Sequence, residues 1–292
     1  MMFDQDVCRS LLFVAAGNQR YLDSALRGRA DVIQVDLEDA VAPDQKTQAR
    51  EVVNQNVQQI SEAGRVAAVR VNNDASMLDA DLQAVVQESL AALTIPKVDS
   101  ADTLVAVDRK VTELENMRGL KPRRIRLIAQ IESASGVLNA REIAGATPRL
   151  AAMGIGMEDL TAEIGGLVSP DALYFPNMKI LYAAREAGVT PIGYLGSITT
   201  YNDTEMFQDW IRRARDLGFA GGFCVHPNQV SILNEVLAPD RAAVKSARRL
   251  VEAYETSTAQ GKGAFAFEGQ MVDKPVVDRA RRLLSRAEKL HK

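Results

Sequence analysis

Residues 125–159 read IRLIAQIESASGVLNAREIAGATPRLAAMGIGMED. Two apolar runs of strand type, 125–131 and 150–155, flank a stretch near 137–144 whose apolar residues recur with helical spacing. A strand–helix–strand unit of this kind belongs to a closed (β/α)8 barrel or to an open doubly wound sheet. The open sheet needs a glycine-rich phosphate turn after an early strand, and Gly17 alone does not supply one. Gly154-Ile155-Gly156 lacks the later glycine of GxGxxG and comes late in the chain.

Outward from this unit the alternation repeats. Strand-type runs fall at 10–16, 31–37, 66–71, 92–95, 191–195 and 222–225. Helical stretches fall at 19–27, 46–60, 77–90, 102–117, 159–167, 175–187, 204–217, 230–235 and 239–256. Eight strand–helix units in order predict an α/β fold, a (β/α)8 TIM barrel over residues 1–258. Residues 259–292 read as a linker, Gly261-Lys262-Gly263-Ala264, and a C-terminal helical extension over 273–290 with Pro275 in its first turn. Such an extension either caps its own barrel or reaches a neighbouring subunit.

Composition excludes several classes. Of 292 residues, 47% are hydrophobic and 25% charged, an ordinary globular balance with ample chain for a core. Thirty-five Lys and Arg against 38 Asp and Glu leave a net charge of −3, which argues against a nucleic-acid partner. No run approaches the roughly 18 apolar residues of a membrane span. The acidic start, Met1 to Asp6, lacks the basic and apolar regions of a signal peptide, so a cytoplasmic location is expected. Cys8 and Cys224 are too few for a disulfide scaffold and fit a reducing compartment.

In a TIM barrel, functional side chains gather at the C-terminal ends of the strands. Here those ends carry Asp36, Glu38 and Asp39; Arg70 and Asn72; Lys97; Glu132; Glu158 and Asp159; and His226. Glu132 and Asp159 stand past adjacent strands, which run about 4.8 Å apart. Two carboxylates so placed repel unless a cation or proton sits between them. One or two carboxylates with substrate oxygens and waters is the usual way to hold Mg²⁺. No HxxxH or CxxC pair is present and the only histidines are His226 and His291, which argues against zinc or iron. Asp159 is alternatively a cap of the following helix, with Thr161. The Arg70 fork suits a substrate carboxylate or an enolate oxygen, or an ion pair with Glu38 or Asp36. Asp36, Glu38 and Asp39 would then orient Arg70 and metal-bound waters, or serve structure alone. Lys97 is read as electrostatic or structural rather than as a Schiff-base lysine, His226 as a packing histidine, and Cys224 as an inert core thiol.

The stretches 9–14, 36–41, 70–72, 96–97, 131–136, 156–160, 226–229 and 263–275 fall in the order of a known family. The chain resembles the citrate lyase beta-subunit-like proteins of the HpcH/HpaI aldolase family, which includes malyl-CoA, citramalyl-CoA and citryl thioester lyases. The resemblance implies a (β/α)8 barrel, Mg²⁺ held by Glu132 and Asp159, and cleavage or formation of a C–C bond beside a CoA thioester. Its partners would be an acyl-CoA thioester and a 2-oxoacid. Arg70 would contact the 2-oxoacid and the thioester oxygen. Asp273 would be an acid/base supplied by a neighbouring subunit, and trimers or hexamers are common in the family. Ala15 replaces the usual Pro and Ser24 stands near a common CoA-binding Lys, leaving Arg20, Arg27 or Arg29 for the CoA phosphates. Other readings are a malate-synthase-like condensing thioesterase, a CoA-independent 2-oxoacid aldolase, a citryl-carrier-protein lyase subunit of a larger complex, and a non-catalytic paralogue.

Overall fold

The computed structural model describes residues 3–259 and 265–290. The alternation read from the sequence becomes eight parallel strands: β1 Ser10–Ala15, β2 Val32–Asp36, β3 Val66–Arg70, β4 Ala92–Ile95, β5 Arg126–Ile131, β6 Leu150–Ile155, β7 Thr190–Ile192 and β8 Gly222–Cys224. They pair in the order β7-β6-β5-β4-β3-β2-β1-β8. Closure between β7 and β8 rests on one parallel bridge, Ile192 with Gly221, and on Gly193 N donating to Gly221 O at 2.8 Å. Gly221 is obligatory at this seam, since a Cβ there would collide with the Cys8 carbonyl oxygen. The strands are surrounded by α1 Gln19–Arg27, α2 Lys46–Glu62, α3 Leu78–Val85, α4 Ala101–Met117, α5 Ala134–Leu138, α6 Ala140–Ala144, α7 Met157–Glu163, α8 Pro170–Glu186, α9 Thr204–Leu217 and α10 Pro227–Val236.

Side chains alternate along each strand. One set, including Val35, Val69, Leu93, Ala129 and Met153, packs outward with the helices. The other, including Leu11, Val32, Ala68, Ala92, Ile128, Ile192 and Phe223, fills the barrel interior. The barrel is therefore a packed core, and only its open end is available to ligands.

Several elements depart from their expected bounds. The helix expected over 77–90 stops at Val85, because Val86 turns extended and its carbonyl accepts a bond from Arg118. The helix expected near 137–144 is two short ones, α5 and α6, meeting at Asn139. α8 begins at Pro170 behind the Ser169 cap, not near Phe175, and carries Pro176 inside it. Asn177 Nδ2 donates to Leu173 O at 2.9 Å beside that proline.

At the end of the barrel opposite the ligands, Arg149 is fully buried just before β6. Its guanidinium donates to Asp108 at 2.7 Å, to both oxygens of Glu115 at 2.9 Å and to Ile125 O at 2.8 Å. Glu115 also accepts from the amides of Arg123 and Ile125. This network ties α4 to β5 and β6. Breaking a buried pair by removing one partner costs about 3–5 kcal/mol, because the other charge stays buried. Glu115→Ala should therefore lower unfolding free energy by about 3 kcal/mol in urea titration. A loss below about 1 kcal/mol would show that Arg149 needs only Asp108.

Residues 1–237 form one compact unit and residues 238–292 a second. α11, Arg241–Ala259, belongs to the second unit with the extension. Within the second unit, β9 Phe265–Phe267 and β10 Gln270–Val272 make an antiparallel hairpin before α12, Lys274–Leu290. Glu268 and Gly269 both have positive φ, +50° and +79°, as a tight two-residue hairpin loop requires. Arg281 donates to Glu255 at 3.1 Å and lies over the Tyr254 ring, joining α12 to α11. The expected linker, Gly261-Lys262-Gly263-Ala264, lies outside the described residues, as does His291.

Candidate active site

Strand register builds the centre of the mouth. Asp36, the last residue of β2, pairs in register with Arg70, the last of β3. Their side chains meet as a two-pronged pair: Arg70 Nε donates to Asp36 Oδ1 at 2.8 Å and Nη2 to Oδ2 at 2.6 Å. Nη1 lies 3.0 Å from Glu38 and 3.5 Å from Asp39. The guanidinium sits 4.5 Å above the Phe13 ring. Burial works against its charge, but Asp36, Glu38 and Asp39 together outweigh it and raise the Arg70 pKa. Asp36 is fixed in turn by the backbone amides of Glu38 and Ala40. The ion pair expected as one role of Arg70 is thus present, with Asp36 and Glu38 both taking part.

Lys97 Nζ donates to Glu38 at 2.6 Å. Burial lowers its pKa, but Glu38, Asp39 and Glu132 together outweigh burial and raise it. A Schiff-base lysine needs the opposite shift. The Glu38 carboxyl is itself pushed up, first by burial and against the pull of Arg70.

Glu132 follows β5 and is level with Gly156, because Ile131 pairs with Ile155. A Cβ on Gly156 would lie 2.6 Å from Glu132 Cγ and 2.7 Å from its Oε1, so glycine there makes room for the carboxyl. Glu132 is buried, and neither of its oxygens has a hydrogen-bond partner. Burial, then Glu38 and Asp159, push its pKa up to about 8, against the opposing charges of Arg70 and Lys97. Asp159 is exposed in the first turn of α7. That helix starts at Gly156 without a side-chain cap, so the capping role offered for Asp159 is not the one it has. Among the described residues no three His, Cys, Asp or Glu side chains gather as a ready metal cage. A cation here would draw on the carboxylates of Glu132 and Asp159, completed by ligand oxygens and water.

A raised carboxyl binds its proton more tightly folded than unfolded. Metal-free protein therefore has the full benefit of Glu132 below pH about 4.5 and loses it as pH rises through about 8. A divalent cation competes with that proton. Mg²⁺ affinity should rise up to tenfold per pH unit between pH 6 and 8, with proton release visible when calorimetry is repeated in buffers of different ionisation enthalpy. A pH-independent affinity without proton release would place the cation elsewhere.

Some contributors were not among the expected site residues. Lys46 opens α2, where the helix dipole disfavours a cation. That mismatch is its signal, for Nζ donates to Leu37 O, Glu38 O and Asn72 Oδ1 at 2.6–2.8 Å and ties down the acidic loop. Asn72 is held by buried Asp81, which also pairs with Arg50 at 2.5 Å. Beside this network a cleft of about 340 Å³ is lined by Glu38, Asp39, Lys46, Asn72, Asp74 and Lys97, among others. Arg20 is exposed in the first turn of α1, at the mouth end. Arg27 and Arg29 follow at the far end of that helix, away from the mouth. His226 caps α10 through Nδ1, accepting from Asn228 N at 3.2 Å, and stacks on Tyr201. Cys224 is buried and burial raises its thiol pKa. Asp273 precedes α12 and its carboxylate accepts from Val276 N at 3.4 Å, a weak cap.

Fold and mouth together define a barrel enzyme with its ionisable groups at the C-terminal ends of the strands. The chain belongs to the HpcH/HpaI aldolase/citrate lyase family, whose model matches residues 9–227. It is 35% identical to the citrate lyase subunit beta of Escherichia coli K12 over 286 residues, covering 96% of this chain and 93% of that one. It is 33% identical to the L-malyl-CoA/beta-methylmalyl-CoA lyase of Rhodobacter capsulatus over 303 residues, covering 96% and 94%. Among solved structures it is similar to protein CitE of Mycobacterium tuberculosis in complex with magnesium, acetoacetate and coenzyme A. That match has a TM-score of 0.75 and 29% identity and covers 98% of this chain and 100% of that one. Among the described residues no helix is long and apolar enough to cross a membrane.

Proposed function

We propose that this protein is a Mg²⁺-dependent carbon–carbon lyase that cleaves or forms a 3-hydroxy-acyl-CoA thioester, with a 2-oxoacid and an acyl-CoA on the other side of the reaction. The observation that carries this reading is the Glu132 carboxyl, buried with both oxygens unpartnered beside Asp159 and Arg70. An orphaned buried carboxylate is costly unless a ligand serves it. Its oxygens and Asp159 fit a hard divalent cation. The magnesium and coenzyme A of the M. tuberculosis relative support the same reading. When bound, Mg²⁺ would supply Lewis-acid polarisation of the 2-oxo carbonyl.

The chain's own residues supply the rest. In the cleavage direction the alcohol gives its proton to solvent water, its oxygen becomes the carbonyl of the 2-oxoacid as the C–C bond breaks, and the electron pair of that bond passes to the thioester enolate. Arg70 stabilises the charge on the enolate oxygen. Asp36 locks the guanidinium beforehand, so little reorganisation is needed. Glu38 and Lys97 neutralise one another beside it and set the local charge. Asp273, given by a neighbouring subunit in a homotrimer or hexamer, protonates the enolate carbon and releases acyl-CoA. Arg20 is the mouth-end cation available to the CoA phosphates.

Arg70→Lys should keep the fold, lower the melting temperature by losing the two-pronged bond to Asp36, and lose more than about tenfold in kcat/KM, roughly 1.4 kcal/mol, since a point charge cannot replace a two-pronged donor. Near-parent kinetics would leave only the ion-pair role. The reading as a whole is tested by incubating malyl-, citramalyl-, methylmalyl- and citryl-CoA with and without Mg²⁺ and measuring 2-oxoacid, acyl-CoA and free CoA. Free CoA in place of acyl-CoA would mark thioester hydrolysis, and turnover of free hydroxyacids alone would mark a CoA-independent aldolase.

A further inference from the structure

Directly beneath the strand-end carboxylates the barrel interior is polar where the layer below it is apolar. Gln34 lies two residues before Asp36 on β2, and Gln130 two residues before Glu132 on β5. With a two-residue period, both point into the barrel just under the mouth. Gln34 is wholly buried and Gln130 is 5% exposed. Thr94, wholly buried on β4, donates its hydroxyl to Gln34 Oε1. That bond leaves Gln34 Nε2 as a buried donor with no partner, and Gln130 Oε1 is a buried acceptor with none. The Gln130 amide nitrogen and the Glu132 carboxylate both lie against Gly156, 2.9 and 2.7 Å from where its Cβ would be. In register beside Gln34 stand Phe13 on β1 and the small Ala68 on β3.

Buried amides in a packed core are nearly always hydrogen-bonded, and leaving them unmade is costly. Two orphaned atoms of opposite sense call for a group that both accepts and donates. A hydroxyl does both and carries no charge. A carboxylate would accept from Gln34 but give nothing to Gln130, and a cation the reverse.

We propose that Gln34, Thr94 and Gln130 form a neutral hydroxyl-binding subsite under the mouth, in which an O–H group accepts from Gln34 Nε2 and donates to Gln130 Oε1. The O–H belongs either to an ordered water or to the substituent of a 2-oxoacid. Only the choice of ligand rests on the proposed lyase reading.

The probes are pyruvate and hydroxypyruvate, with Mg²⁺, titrated calorimetrically into parent, Gln34→Met and Gln130→Met, which keep side-chain volume. Thr94→Val, which strands Gln34 Oε1 instead, guards against a variant that fails to fold. If the substrate supplies the hydroxyl, the parent binds hydroxypyruvate at least tenfold more tightly than pyruvate, and the ratio falls to near one in the variants. If water supplies it, the parent shows no preference. The ligand-free variants then melt at least about 2 °C lower, and a crystal structure of the ligand-free parent holds an ordered oxygen between the two amides. Variants that melt at or above the parent with an unchanged ratio overturn the proposal. So does a crystal structure without an oxygen there, ligand-free and with hydroxypyruvate. A parent that binds neither acid defeats the lyase reading and leaves the melting and crystallographic arms to decide the subsite.

Discussion

Glu132→Gln should remove magnesium-dependent turnover, by about 10³-fold or more, equivalent to about 4 kcal/mol of lost transition-state stabilisation. The amide has the shape of the carboxyl it replaces, so the fold has no reason to change. Without metal the substitution should even raise stability at pH 8 relative to the parent, because it removes a carboxyl whose ionisation burial resists up to about pH 8. Asp159→Asn should likewise cut magnesium-dependent turnover. Titration of Mg²⁺ in the presence of a 2-oxoacid reads the cause directly: both variants should bind the cation far more weakly. If both bind it like the parent, the two carboxylates are not its ligands, and the orphaned oxygens of Glu132 need another occupant.

The second large effect is expected at Asp273, in the second unit of the chain. Its local role is a cap on α12, with Val276 N donating to it at 3.4 Å and Pro275 in the first turn. Removing a cap costs about 0.5–2 kcal/mol of stability and nothing in chemistry. Asp273→Asn can still accept that bond but cannot exchange a proton. If Asp273 is the acid for the enolate carbon, the variant should melt like the parent and lose about 10²-fold or more in kcat. A second measurement asks whose site it serves. Arg70→Ala and Asp273→Asn chains, unfolded together and reassembled, should recover part of the activity if each site draws its arginine and its aspartate from different subunits. Full turnover by Asp273→Asn would reduce the residue to a cap. A silent mixture of confirmed hybrid oligomers would place Asp273 over its own barrel.

Most of the fold was legible because a buried parallel strand and an amphipathic helix leave different apolar periods in the chain. The eight strand–helix units, the barrel in preference to an open sheet, and the mouth-end positions of Asp36, Arg70, Glu132 and Asp159 all follow from that pattern and from the rule that places function at strand ends. Local signals failed where tertiary contacts overrode them. The helix after β3 stops at Val85 because Arg118, brought there from α4, takes the Val86 carbonyl. The β9–β10 hairpin turns on Glu268-Gly269, too short a pattern to stand out beside a linker and a helix. That α11 groups with the extension in one compact unit is likewise marked by no composition shift.

The sequence by itself determined which groups stand at the open end of the barrel, since strand order and a period of two leave no choice. Only the tertiary structure decided their electrical state. Register set Asp36 opposite Arg70 and closed the two-pronged pair. Gly156 opened the space into which Glu132 folds. Burial left that carboxyl unpartnered and, with the nearby Glu38 and Asp159, raised its pKa. Charge and hydrogen bonding depend on distances between strands far apart in the chain, and those distances exist only once the barrel has closed.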